Sequence, residues 1–249
     1  MLFIHGDFFP SFIVNLAFTS SSTFLFPRFP STPNSYGLST RQIQELFVAG
    51  FGSSLIFGTF VGSLADQFGR RLNCIIYGIT YALGCVTKHI AMYEWLMVGR
   101  FLAGLSTSIL YSAFESWAVC EHHSRGFSDD LLSNLFAHAT LGNSVVAIMA
   151  GIVAQFFADA YGFVAPFDCA IVVLLAMVVT MVMTWNENYG DTTTNTRANV
   201  KLALKHIIYN RKVFCLGIIQ GLFEGAMYTW VGSANFALTV LSVYDLSSE

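Results

Sequence analysis

Charge is scarce in this chain. Asp, Glu, Lys and Arg make up 11% of its 249 residues, against roughly 25% in a soluble domain. A water-facing surface is hard to build from so few, and 55% of the residues are hydrophobic. Mean hydropathy is +0.60. This is the composition of a polytopic membrane protein. Positive charge is not in excess either: the net charge is −3, which leaves no basic field to attract nucleic acid. The five cysteines form no CxxC pair and lie in or beside apolar runs, so they read as small reduced hydrophobes. No Asn-x-Ser/Thr sequon occurs, and the first residues lack the cationic start of a signal peptide.

What the chain does have is a series of long apolar runs. Candidate spans lie at roughly 43–65, 72–90, 94–119, 131–158, 164–185 and 212–232. Each is near or above the ~20 residues that cross about 30 Å of hydrocarbon. Helices are expected, because backbone polar groups in lipid must be satisfied within the segment. Ser39 or Thr40 in "STRQIQELF" is placed to cap the first of them. Before it, residues 1–35 form an atypical segment. Its apolar stretch is weakened by "TSSSTFLF" and followed by Pro27, Pro30 and Pro33, so whether it spans is left open.

Lys and Arg set an expected orientation. Arg70 and Arg71, then Arg125, then Arg197, Lys201, Lys205, Arg211 and Lys212 fall in alternate loops on one side, which should be cytoplasmic. The other side has Arg41 and Lys88. Small residues recur every four positions: Gly50, Ser54, Gly58 and Gly62; Gly104, Ser108, Ser112 and Ser116; Gly217, Gly221 and Gly225. Such faces let helices approach closely in lipid, and packing is the preferred reading.

The sharpest feature is "GSLADQFGRR", Gly62–Arg71, between two apolar runs. It reads as a tight cytosolic turn. Gly62 would allow close packing at the helix end, and Asp66 would accept backbone N–H groups or pair with Arg70. Gly69 would permit the sharp turn. Arg70 and Arg71 would hold the loop on the positive side.

This stretch resembles the signature of the major facilitator superfamily, found between its second and third transmembrane helices. "GRFLAGLSTS", Gly99–Ser108, is similar to the family's Arg-x-x-x-Gly element, here Arg100 and Gly104. "VTKHIA", "VGRFLAGLSTSILYSAFESW", "VAPF", "WNENY" and "IQGLFE" resemble the molybdate-anion transporter branch, over about 36–231. The resemblance implies an all-α polytopic membrane protein: the superfamily's N-terminal six-helix bundle plus about one helix of the second half. On this reading residues 36–185 are the bundle and 186–211 a cytosolic linker. Residues 212–232 are the first helix of an incomplete second bundle, and 233–249 are an atypical tail. The resemblance also implies that Asp66 docks partly on the other half of the transporter.

Charged groups inside spans are costly and need a reason. Arg100, Thr107, Tyr111 and Glu115 fall within about 80° of one another on a helix, a polar stripe expected to face the cavity. Lys88 and Arg100 would either snorkel as anchors or attract an oxyanion. Glu115 and Glu224 would pair with cations or couple protons, with a packing role for Glu115 also open. Asn143 and Gln220 add neutral polar groups, either to the pathway or to interhelical bonds. His122 and His123 in "CEHHSRG" read as a solvated loop rather than a metal site, and His138 as a polar core residue. There is no nucleophile–base pair, phosphate loop or metalloprotease motif, so an enzyme is not expected, and no cofactor is implied.

The expected function is a transporter that takes up molybdate, or a related oxyanion, by alternating access across the plasma membrane. The alternative is a truncated, non-transporting fragment or a regulatory partner of a full-length relative. The expected partners are the oxyanion, the lipid bilayer, and a second half-transporter or another copy of the chain. Nucleic acid is not among them.

Overall fold

The computed structural model describes residues 38–162, 164–190 and 196–223, with a few positions beyond. The expectations for residues 1–35 and for the tail fall outside this region. All regular structure in it is helical: α1 (Thr40–Phe68), α2 (Arg70–Val86), α3 (Tyr93–Ser124), α4 (Asp129–Tyr161), α5 (Ala165–Thr184) and α6 (Thr196–Tyr209). A short 3₁₀ turn, Thr87–His89, follows α2, and a further helix covers 211–223.

Local chemistry fixes the boundaries. Ser39 caps α1, its Oγ accepting the Gln42 N–H while Gln42 Oε1 accepts the Ser39 N–H, a reciprocal box. Gly126 (φ +70°) turns the chain between α3 and α4, and Pro166 opens α5.

Among the described residues, four helices are long and apolar enough to cross a membrane: α1, α3, α4 and α5. The expected span at 72–90 is shorter than its apolar run. It is a helix of 17 residues, about 25 Å long, because the backbone tightens into the 3₁₀ turn at Thr87. Six full spans are therefore not what the described residues present. The expected span at 212–232 is helical over 211–223, and the rest of it lies largely outside the described residues.

The core lies among α2, α3 and α5, where Cys74, Tyr77, Phe114, Phe167 and Leu174 are buried. Tyr77 meets Phe114 edge to face at 5.3 Å. Against α3 from another side lies α1, held by Ile43, Leu46 and Leu96. The small-residue repeats of α1 and α3 meet here. Ser108 donates to the Ser54 carbonyl at 2.8 Å, and a Cβ at Gly104 would collide with Ser53 Oγ and the Gly50 carbonyl. The packing reading holds for this pair. For Gly217, Gly221 and Gly225 nothing lies within 4 Å among the described residues. The outer faces are apolar: Leu55, Ile152, Val172 and Met183 are all exposed. An apolar exterior around a packed interior is what lipid as solvent requires.

Candidate functional site

Two constellations stand out, one at each end of α2. At the first, α1 ends and α2 begins on a single residue. Gly69 has φ +107°, a conformation L side chains rarely adopt, and a Cβ there would lie 2.6 Å from the Glu187 carboxyl carbon. Asp66 Oδ1 accepts from Arg70 Nη2 at 2.8 Å and Nε at 3.1 Å. Arg70 Nη1 donates to the Ser116 carbonyl at 3.1 Å. One guanidinium thus joins α1, α2 and α3 through a fork that a lysine could not reproduce.

A strap formed by Trp185–Gly190 crosses this loop. Glu187 Oε1 accepts the Arg71 N–H at 2.9 Å and Oε2 accepts the Leu72 N–H at 3.2 Å. Its carboxylate therefore caps the first turn of α2, whose own N-cap is a glycine without a side chain. The Asn188 carbonyl accepts the Arg70 N–H at 3.0 Å, and Gly190 donates to the Asp66 carbonyl at 3.1 Å. Trp185 stacks on Trp117 at 3.7 Å, while Trp117 Nε1 donates to the Asn186 carbonyl at 2.9 Å. Beside the strap, an open groove of about 860 Å³ is lined by Arg70, Glu115, Cys120, His123 and Tyr189 among others.

At the other end, the 3₁₀ turn that follows α2 delivers Lys88 and α3 delivers Arg100. Lys88 is only 7% exposed, so it does not snorkel. It lies within electrostatic reach of Arg100. The Arg100 guanidinium carbon sits 5.0 Å from the centre of the Phe47 ring, and its stem packs at Gly50. Its Nε and Nη2, the two donors of one guanidinium edge, are buried with no hydrogen-bond partner among the described residues. A buried donor edge left unpaired is costly, by several kcal/mol when charged. That edge does not reach solvent, while Arg100 as a whole is half-buried.

The comparisons with known proteins agree with this architecture. A family of the superfamily described as sugar transporters with 12 transmembrane segments matches residues 10–243. The chain belongs to the major facilitator superfamily. Among its relatives is a molybdate-anion transporter of Xenopus laevis, 35% identical over 193 residues, covering 76% of this chain and 43% of that protein. One of Danio rerio is 31% identical over 222 residues, covering 79% and 46%. The chain thus spans less than half the length of these relatives. A solved peptide transporter in complex with sulfate shares the fold, with a TM-score of 0.63 at 19% identity, covering 90% of this chain and 46% of that one. The superfamily is one of transporters, not enzymes, and among the described residues no group of three or more His, Cys, Asp or Glu could hold a metal.

Within this superfamily frame the predicted residues separate. Arg100 and Glu115 are fifteen positions apart on α3, about 22 Å along its axis, so the polar stripe is not one compact site. Arg100 belongs with Lys88, and Glu115 lines the groove beside the signature loop. Between them Thr107 donates to the Ala103 carbonyl at 2.8 Å, and Tyr111 is 71% exposed. Asn143 on α4 and Gln220 on the 211–223 helix are exposed, and the Glu224 side chain lies outside the described residues.

Three expectations are corrected. At Gly62 a Cβ would meet nothing within 4 Å among the described residues, so no described helix packs closely there. His122 is buried rather than solvated, because its ring Nε2 bonds the Ser128 carbonyl at 2.9 Å and holds the α3–α4 turn. His138 is exposed, because it sits on an outer face of α4 with Nδ1 on the Asn134 carbonyl at 2.6 Å. Sequence reasoning missed Glu187, Asn188 and the Trp117–Trp185 stack. The signal was available in "WNENYG", where three polar residues sit between two aromatic ones directly after an apolar helix.

Proposed function

We propose that the chain is part of a secondary transporter that carries a tetrahedral oxyanion of the molybdate class by alternating access. The observation that carries this reading is the unpaired Nε–Nη2 edge of Arg100 beside the buried Lys88. That edge presents two parallel donors at the spacing of two oxygens on one anion. A second positive group nearby suits a dianion. The names of the molybdate-anion relatives support the substrate class. Access to the guanidinium requires α1 to move from α3, since Phe47 lies against it and Gly50 against its stem.

In the same reading residues 36–185 form the N-terminal bundle, 186–211 the linker and 212–232 the first helix of a second bundle. The signature loop faces the cytoplasm of a plasma-membrane protein, on the positive-inside argument. A second half-transporter or a second copy completes the cavity. Glu115 and Glu224 take part in coupling, and Thr107, Tyr111, Asn143 and Gln220 line the pathway in its open state.

Uptake of labelled molybdate into vesicles containing the chain tests the proposal, with a full-length relative as positive control. The expected result is uptake that competes with excess sulfate and falls at least tenfold in Arg100→Ala. Unchanged uptake in Arg100→Ala removes that residue from the pathway. No uptake by the wild-type chain, beside a working control, removes transport by this chain.

A further inference from the structure

The segment after the strap carries charge of one sign. Between Asp191 and Glu224 there is no Asp or Glu, yet Arg197, Lys201, Lys205, Arg211 and Lys212 lie there, five of the chain's 12 Lys and Arg. With a net charge of −3 overall, this is a local bias rather than a property of the whole chain. Helix α6 places Arg197, Lys201 and Lys205 at four-residue spacing, a stripe about 80° wide.

The helix stops at Tyr209 and the next begins at 211. Asn210 makes the corner. Its N–H donates to the His206 carbonyl at 3.0 Å, its carbonyl accepts the Phe214 N–H at 2.9 Å, and its Oδ1 accepts the Lys212 N–H at 3.2 Å. At this corner Lys205, His206, Arg211 and Lys212, with Leu202 and Tyr209, line an open pocket of about 650 Å³. All six side chains are exposed. No carboxylate among the described residues lines the pocket or pairs with its cations.

We propose that this corner binds the phosphate headgroup of an anionic phospholipid in the surrounding bilayer. Charge complementarity requires an anion. The apolar company of the cations selects a lipid over a free anion: Leu202, Ile208 and Tyr209 are exposed beside them. The helix beginning at 211 then continues with exposed Val213, Phe214, Leu216 and Ile219. Cations at the mouth of an apolar helix sit at headgroup depth, where each adds attraction to an anionic surface. The headgroup would fix the angle between α6 and the following helix, and so the register of the linker.

The test places the whole chain in lipid nanodiscs, neutral phosphatidylcholine against discs with about 20% phosphatidylserine. Backbone amide exchange over 196–212 is the readout, and exchange over α1–α3 reports that the fold is intact. Expected is at least tenfold slower exchange with phosphatidylserine, reversed by raising the salt to about 0.5 M. Single neutralisations, Lys205→Gln, Arg211→Gln and Lys212→Gln, each weaken the effect about fivefold. Equal exchange in the two discs overturns the proposal. So does protection by about 10 mM inorganic phosphate in neutral discs, which would make the corner a free-anion site. Protection that survives the triple variant overturns it too. The wild-type comparison decides the matter even if a variant does not fold.

Discussion

Glu187 caps the helix α2 from 116 residues beyond its partner Arg71, its Oε1 accepting the Arg71 N–H at 2.9 Å. The first turn of α2 has no cap of its own, since the residue before it is Gly69. A carboxylate there meets two unpaired N–H groups and the positive end of the helix dipole together. Replacing it with Ala should cost about 1–2 kcal/mol. Glu187→Gln keeps one acceptor and should cost less. Thermal unfolding in detergent measures both. Equal stability of Glu187→Ala and wild type would show that the strap does not hold the helix.

The two signature glycines should behave oppositely. Gly69→Ala meets both a φ of +107° and the Glu187 carboxylate, so a loss of about 1–3 kcal/mol is expected. Gly62→Ala enters open space in a helix, where it gains up to about 1 kcal/mol of helix propensity. The difference in melting temperature between the two variants checks the assignment.

Arg70→Lys should destabilise by about 1–2 kcal/mol despite keeping the charge. Arg70 bonds Asp66 through Nε and Nη2 and the Ser116 carbonyl through Nη1, and one ammonium cannot reach both. If Arg70→Lys and wild type melt together, the bond to Ser116 contributes nothing.

Gly104→Val should separate α1 from α3. A Cβ at Gly104 collides with the Gly50 carbonyl and lies 2.9 Å from the Ser54 amide nitrogen, and backbone cannot rotate aside. A cysteine cross-link between α1 and α3 should form at least tenfold more slowly in this variant, a barrier change of about 1.4 kcal/mol. Gly58→Ala, whose Cβ lies at an ordinary 3.8 Å from Ser108 Oγ, serves as the tolerated control.

Trp185→Ala removes the stack on Trp117 that pins the strap. Limited proteolysis should then cut within 186–190 several-fold faster, while the transmembrane helices stay protected. An unchanged cleavage rate would mean that the backbone bonds of Asn188 and Gly190 suffice.

The sequence determined the solvent, the element type and one loop. So little charge among so many apolar residues leaves a bilayer as the medium, and lipid leaves helices as the way to satisfy the backbone. The turn at Gly69, the Asp66–Arg70 pair and the close α1–α3 approach were readable because each rests on residues near one another or at a fixed helical period. The span at 72–90 was read too generously, since hydropathy does not register the tightening at Thr87. What only tertiary structure decided was which distant groups meet. Glu187 reaches α2 because α5 returns the chain to that end of the bundle. The stripe on α3 divides between two ends because a helix carries one face over about 22 Å. Arg100 is left with a buried, unpaired edge because α1 closes over it, a consequence of packing that no local pattern encodes.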